Sequence, residues 1–109
     1  MIIIVDDDLF LAEMLDLLIK DYPHMVVNSI EELYQVPEDT IRKVTKVLTD
    51  MKLAPAVDAY TVKEYIRSIN QDADIILMTG AVPTSETVND FDGVLLKPFK
   101  RKDMLALID

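Results

Sequence analysis

Four branched apolar residues, Ile2-Ile3-Ile4-Val5, run directly into three carboxylates, Asp6-Asp7-Asp8. So short a continuous branched run reads as a strand covered on both faces, as in the middle of a parallel sheet. That reading constrains the fold, because parallel strands need long crossover connections, usually helices. It also sets three like charges at the strand's carboxyl end, where open α/β sheets bind their ligands. One acid there is expected to cap the following helix and the others to be solvated. The competing reading is a divalent-metal site, since hard cations take oxygen ligands. The other strands decide between the two.

Residues 9–20 are strong helix formers with a broad apolar surface (Phe10, Leu11, Met14, Leu15, Leu18, Ile19), so a helix largely covered by neighbours is expected. Asp7 or Asp8 supplies its N-cap, and Asp21-Tyr22-Pro23 marks its end. Met25-Val26-Val27 forms a second strand, and Ser29 with Glu31 and Glu32 opens a short helix that Pro37 interrupts. A further turn or two is expected over 38–43. A third strand spans 44–49 and ends at Asp50, before a loop containing Pro55. Val62, Tyr65, Ile66 and Ile69 fall at i, i+3, i+4 and i+7, which predicts an amphipathic helix over Ala59–Ile69. Ile75-Ile76-Leu77-Met78 is the fourth strand, followed by a short helix near Ser85–Asp90. Val94-Leu95-Leu96 is the fifth, and Arg101–Ile108 a final helix with Met104, Leu105 and Ile108 inward. Strand and helix alternate five times. The expected fold is α/β: a flavodoxin-like (βα)5 doubly wound parallel sheet in the order 2-1-3-4-5.

At 109 residues the chain is expected to be one domain over 1–109, and Met1 directly before the first strand reads as a natural start. Lys plus Arg number 11 against 20 Asp plus Glu, a net charge of −9, which argues against direct nucleic-acid binding and against an anionic membrane surface. Without cysteine there is neither a disulfide nor a thiolate metal site, which fits a cytoplasmic location. The opening apolar run lacks a basic n-region and is too short for a signal peptide or a membrane span.

The carboxyl ends of the strands carry the chemistry. They present Asp6, Asp7 and Asp8 on the first strand, Asp50 on the third, Thr79 on the fourth and Lys97 on the fifth. The first and third strands flank the switch point of this fold, so Asp50 is expected beside the opening acids. Singly, Thr79 reads as a turn hydroxyl, Lys97 as a solvated ammonium and Asp50 as a turn starter. Jointly, at one edge of one sheet, they match phosphoryl transfer: a nucleophile, a metal to offset charge, and cationic and hydroxyl groups for the phosphoryl oxygens.

With those residues in place, the chain resembles the receiver domain of two-component response regulators over essentially its whole length. The resemblance rests on Ile-Ile-Ile-Val-Asp6-Asp7, Val-Leu-Thr-Asp50, Ile-Ile-Leu-Met-Thr79-Gly80 and Leu-Leu-Lys97-Pro98-Phe99. It implies that Asp50 is the phosphoryl acceptor and that Thr79 and Lys97 bind the phosphoryl group. It implies too that Asp6, Asp7, Asp50 and the backbone carbonyl of Lys52 hold Mg²⁺, and that Lys97-Pro98 is a cis bond. The implied donor is a histidine kinase or histidine phosphotransfer protein. Output would pass to an effector protein or a second copy through the fourth helix, fifth strand and final helix, without turnover of a substrate. Three departures stand out: Pro55 comes one position late and Ala59 replaces a glycine in the loop after Asp50, Val94 replaces a switch aromatic, and the second and fourth helices are short. Two other readings compete. One is a receiver-like interaction module that is not phosphorylated. The other is a small haloacid dehalogenase-like phosphatase using Asp6-x-Asp8, in which Phe10 stands where that class has Thr or Val.

Overall fold

The computed structural model describes residues 1–53 and 56–109. Strand β1 (Ile2–Val5) leads into α1 (Leu9–Leu18), β2 (His24–Val27), α2 (Ile30–Gln35), α3 (Glu38–Ile41) and β3 (Lys46–Asp50). A small hairpin follows, β4 (Lys52–Leu53) and β5 (Val57–Asp58). Then come α4 (Ala59–Ile69), β6 (Asp74–Thr79), α5 (Ser85–Asp90), β7 (Gly93–Leu96) and α6 (Arg101–Ile108). The main sheet is parallel in the order β2-β1-β3-β6-β7, so the five long strands stand in the expected 2-1-3-4-5 arrangement.

Period-two alternation divides each central strand between two cores. Ile3 and Val5 face one core with Leu33, Val47, Val62, Ile66, Ile75 and Leu77; this side carries α2 and α4. Ile2 and Ile4 face the other with Leu15, Ile19, Leu48, Ile76, Met104 and Ile108, the side of α1 and α6. The stripe on α4 lies inward as its spacing predicts, with Val62 and Ile66 buried. None of the described helices is long and apolar enough to cross a membrane.

Three expectations are corrected. Helix α1 is not largely covered: Leu9, Phe10, Met14 and Leu17 are exposed, Phe10 at 80%. A helix lying on a sheet can bury only one stripe, and Leu11, Leu15, Leu18 and Ile19 already fill it. The third strand starts at Lys46 rather than Val44, because the Val44 amide closes the turn after α3 on the Ile41 carbonyl at 3.1 Å. The loop after Asp50 contains the antiparallel β4–β5 hairpin, with Lys52 opposite Asp58 and Leu53 opposite Val57. Pro55, where the chain departs from the receiver pattern, lies outside the described residues.

Candidate functional site

Register alone brings the acids together. Val5 of β1 pairs with Thr49 of β3, so the next residues on the two strands, Asp6 and Asp50, are neighbours at the sheet's carboxyl edge. The Asp6 amide extends the ladder on the other side, donating to the Val27 carbonyl at 3.1 Å. The Asp6 side chain is fully buried. Its Oδ1 accepts from the Asp8 amide at 2.9 Å. Its Oδ2 is buried with no hydrogen-bond donor among the described residues. Burial pushes the Asp6 carboxyl above the usual carboxylate range, and the charges of Asp50 and Asp8 add to the rise. The Asp8 amide and the Lys97 ammonium pull in the opposite direction without cancelling it.

Lys97 follows β7, whose end is tied to β6 by the Lys97 amide on the Thr79 carbonyl at 2.8 Å. Its ammonium lies 3.2 Å from Asp50 Oδ1 and 3.6 Å from Asp6 Oδ2. Asp50 remains 21% exposed at its side chain, so it is the carboxylate of this pair that a large reactant reaches. Asp50 Oδ1 also accepts from the Met51 amide at 2.9 Å.

One oxygen each from Asp6, Asp7 and Asp50 lies within 4.8 Å of the others. All-oxygen donors, a buried carboxylate oxygen lacking a donor, and surplus negative charge fit a hard divalent cation such as Mg²⁺. Asp8 takes the other role left open by the triplet: its carboxylate caps α1, accepting from the Phe10 and Leu11 amides at 3.1 Å each.

Thr79 reaches the same edge at the end of β6, but its hydroxyl is engaged locally, accepting from the Ala81 amide at 3.1 Å. Lys52, in the first arm of the hairpin, is exposed two residues beyond Asp50. The Lys97–Pro98 bond is cis, as the resemblance implied. Sequence reasoning passed over Asn28, whose side-chain Nδ2 donates to the Asp6 carbonyl at 3.0 Å. The available signal was an asparagine lodged between a strand end and the Ser29 helix cap.

No family model and no curated protein matches this sequence. Solved structures do match in fold. The chemotaxis protein CheY4 of Vibrio cholerae superposes with a TM-score of 0.81 at 17% identity, over 98% of this chain and 93% of that one. A CheY-like response regulator receiver domain protein from Methanospirillum hungatei gives 0.81 at 21% identity, over 98% and 89%. A response regulator from Burkholderia pseudomallei, solved with a phosphorylated aspartic acid, a calcium ion and citrate, gives 0.76 at 19%, over 99% and 65%. The chain has the fold of these receiver domains.

Proposed function

We propose that this chain, one domain over 1–109, is the phosphoacceptor receiver domain of a two-component phosphorelay. One observation carries the reading: three carboxylates from two neighbouring strand ends converge within 4.8 Å, and one ammonium reaches Asp50, which is only partly buried. A carboxylate oxygen of Asp50 attacks the phosphorus of a phosphohistidine on a histidine kinase or histidine phosphotransfer protein. The P–N bond breaks on the opposite side, and the imidazole leaves with the bonding pair and takes a proton from solvent. Asp6, Asp7, Asp50 and the Lys52 carbonyl would hold Mg²⁺, which supplies charge neutralisation at the phosphoryl oxygens when bound. Lys97 holds the transferred group as a point charge, and Thr79 turns from Ala81 to donate its hydroxyl. Water later hydrolyses the acyl phosphate, releasing inorganic phosphate and restoring the carboxylate, so the domain is spent and reset rather than turned over on a substrate.

The added charge biases a two-state equilibrium read at the face formed by α5, β7 and α6, by an effector protein or a second copy. The exposed apolar side of α1, which starts two residues after Asp7, supports a protein as the phosphoryl donor. A cytoplasmic location belongs to the same reading. The burial of Asp6 speaks against the dehalogenase-like alternative, which needs a nucleophile on the first strand that substrate can reach.

Acetyl phosphate with Mg²⁺ tests the proposal by intact mass. Wild type is expected to gain one phosphoryl group, and Asp50→Asn none. No gain by wild type would leave the chain a receiver-like interaction module, and an equal gain by the variant would remove Asp50 as the acceptor.

A further inference from the structure

The parallel pairing of β1 with β2 runs through Val5 and Val27 and continues for one more backbone rung, from the Asp6 amide to the Val27 carbonyl. There the chain leaves the sheet, because Ser29 becomes the cap of α2 and its hydroxyl accepts from the Glu32 amide. The Asn28 side chain takes up the next rung, with Nδ2 donating to the Asp6 carbonyl at 3.0 Å. Asn28 is itself held from behind, since its backbone amide donates to Glu32 Oε2 at 2.6 Å. The carbonyl it grips belongs to the planar peptide joining Asp6 to Asp7. Rotating that plane changes ψ at Asp6 and φ at Asp7, and so redirects one carboxylate relative to the other.

We infer that Asn28 is a positioning residue: by holding the Asp6–Asp7 peptide it keeps both carboxylates converged with Asp50 on one divalent cation. Asn28 touches neither the cation nor the phosphoryl group. It acts as a second layer behind the ligands, where partners tune metal affinity through orientation. Through Glu32 the same chain of bonds extends from the site to the first turn of α2. The inference rests on the phosphoacceptor reading for the identity of the cation as Mg²⁺.

Isothermal titration with Mg²⁺ alone, on wild type, Asn28→Ala and Ser29→Ala, separates positioning from general loosening of this corner. Ser29→Ala removes the adjacent helix cap and leaves the Asn28–Asp6 bond intact. The expected result is about a ten-fold loss of Mg²⁺ affinity in Asn28→Ala, none in Ser29→Ala, and partial recovery in Asn28→Gln, which keeps an amide donor. Where Asn28→Ala does not fold, Asn28→Ser, whose hydroxyl is too short to reach, carries the comparison. If wild type binds Mg²⁺ and Asn28→Ala binds it equally well, or Ser29→Ala loses as much, the positioning role is wrong and the phosphoacceptor reading stands. If wild type binds no Mg²⁺, both fall.

Discussion

Asp6 is a residue held at a disadvantage. Its carboxylate is fully buried, one oxygen has no hydrogen-bond donor among the described residues, and the nearest ammonium stands 3.6 Å away. An unsatisfied buried polar atom costs about 1–3 kcal/mol. Asp6→Asn removes the charge while preserving shape. It is therefore expected to stabilise the metal-free domain by about 1 kcal/mol in urea denaturation while abolishing Mg²⁺ binding in calorimetry. Asp8 behaves in the opposite way. Asp8→Ala removes the carboxylate oxygen that accepts from the Phe10 and Leu11 amides at the α1 cap and is expected to lower stability by about 1 kcal/mol, with Mg²⁺-dependent phosphorylation retained; Asp7→Asn should lose that phosphorylation. Three adjacent aspartates carry the same chemistry in a sequence; the resemblance set Asp6 and Asp7 apart as ligands and left Asp8 for the helix cap, a role its bonds to the Phe10 and Leu11 amides give it. Asn28 was harder still, because a side-chain amide replacing a backbone rung leaves no periodic trace.

Among the elements, α1 carries two consequences. Its outer stripe of Phe10, Met14 and Leu17 is exposed, Phe10 most of all, so Phe10→Ser is expected to change stability by less than about 0.5 kcal/mol. If this face receives the donor, the same change slows transfer from a phosphorylated histidine protein and leaves acetyl phosphate labelling intact; equal slowing of both would remove the docking role. The second consequence concerns pH. His24 at the start of β2 aims Nδ1 at the Tyr22 carbonyl at 2.7 Å and Nε2 at the Asp16 carboxylate of α1 at 2.6 Å. Burial, the largest influence, opposes the imidazolium, yet the carbonyl and Asp16 together lift its pKa above the usual histidine value. A histidine raised in the fold contributes stability that is complete below the unfolded pKa of about 6.5 and is lost as pH rises through the higher folded value. Denaturation between about pH 6 and pH 9 should show a loss in wild type that is absent from His24→Gln and Asp16→Asn; parallel profiles for all three would contradict it. The elements themselves were legible where the chain repeats a pattern, as in the β-branched runs and the α4 stripe. They were not legible in the β4–β5 hairpin, because two-residue arms have no period. The exposure of α1 was hidden for another reason: a helix apolar on most sides does not declare which side meets the sheet.

At the scale of the whole molecule, a cation bound at the proposed site would share one equilibrium with the fold. A ligand that binds only the folded state stabilises it by RT ln(1 + [L]/Kd), about 2.7 kcal/mol at roughly a hundred times Kd. Adding Mg²⁺ should therefore raise the melting temperature of wild type progressively and leave Asp6→Asn unmoved. A net charge of −9 makes part of any salt effect nonspecific, so Na⁺ at matched ionic strength is the control. The architecture was readable in advance because five apolar runs separated by helix-sized intervals admit few parallel arrangements. The convergence of Asp6, Asp50 and Lys97 was readable for the same reason, since strand order fixes which ends are neighbours. The orientation of the Thr79 hydroxyl was not, because a local turn amide and a distant ligand compete for one oxygen.

Helix α5 buries no residue. It is joined to α4 by Tyr60 on the Asp90 carboxylate at 3.0 Å and by Lys63 on the Asp90 carbonyl. Bonds of that kind, near the surface, are opened by thermal motion far more often than a packed core is. If the domain signals as proposed, an element so lightly held is expected to leave its place in unphosphorylated molecules too, and faster amide hydrogen exchange in α5 than in α4 checks this.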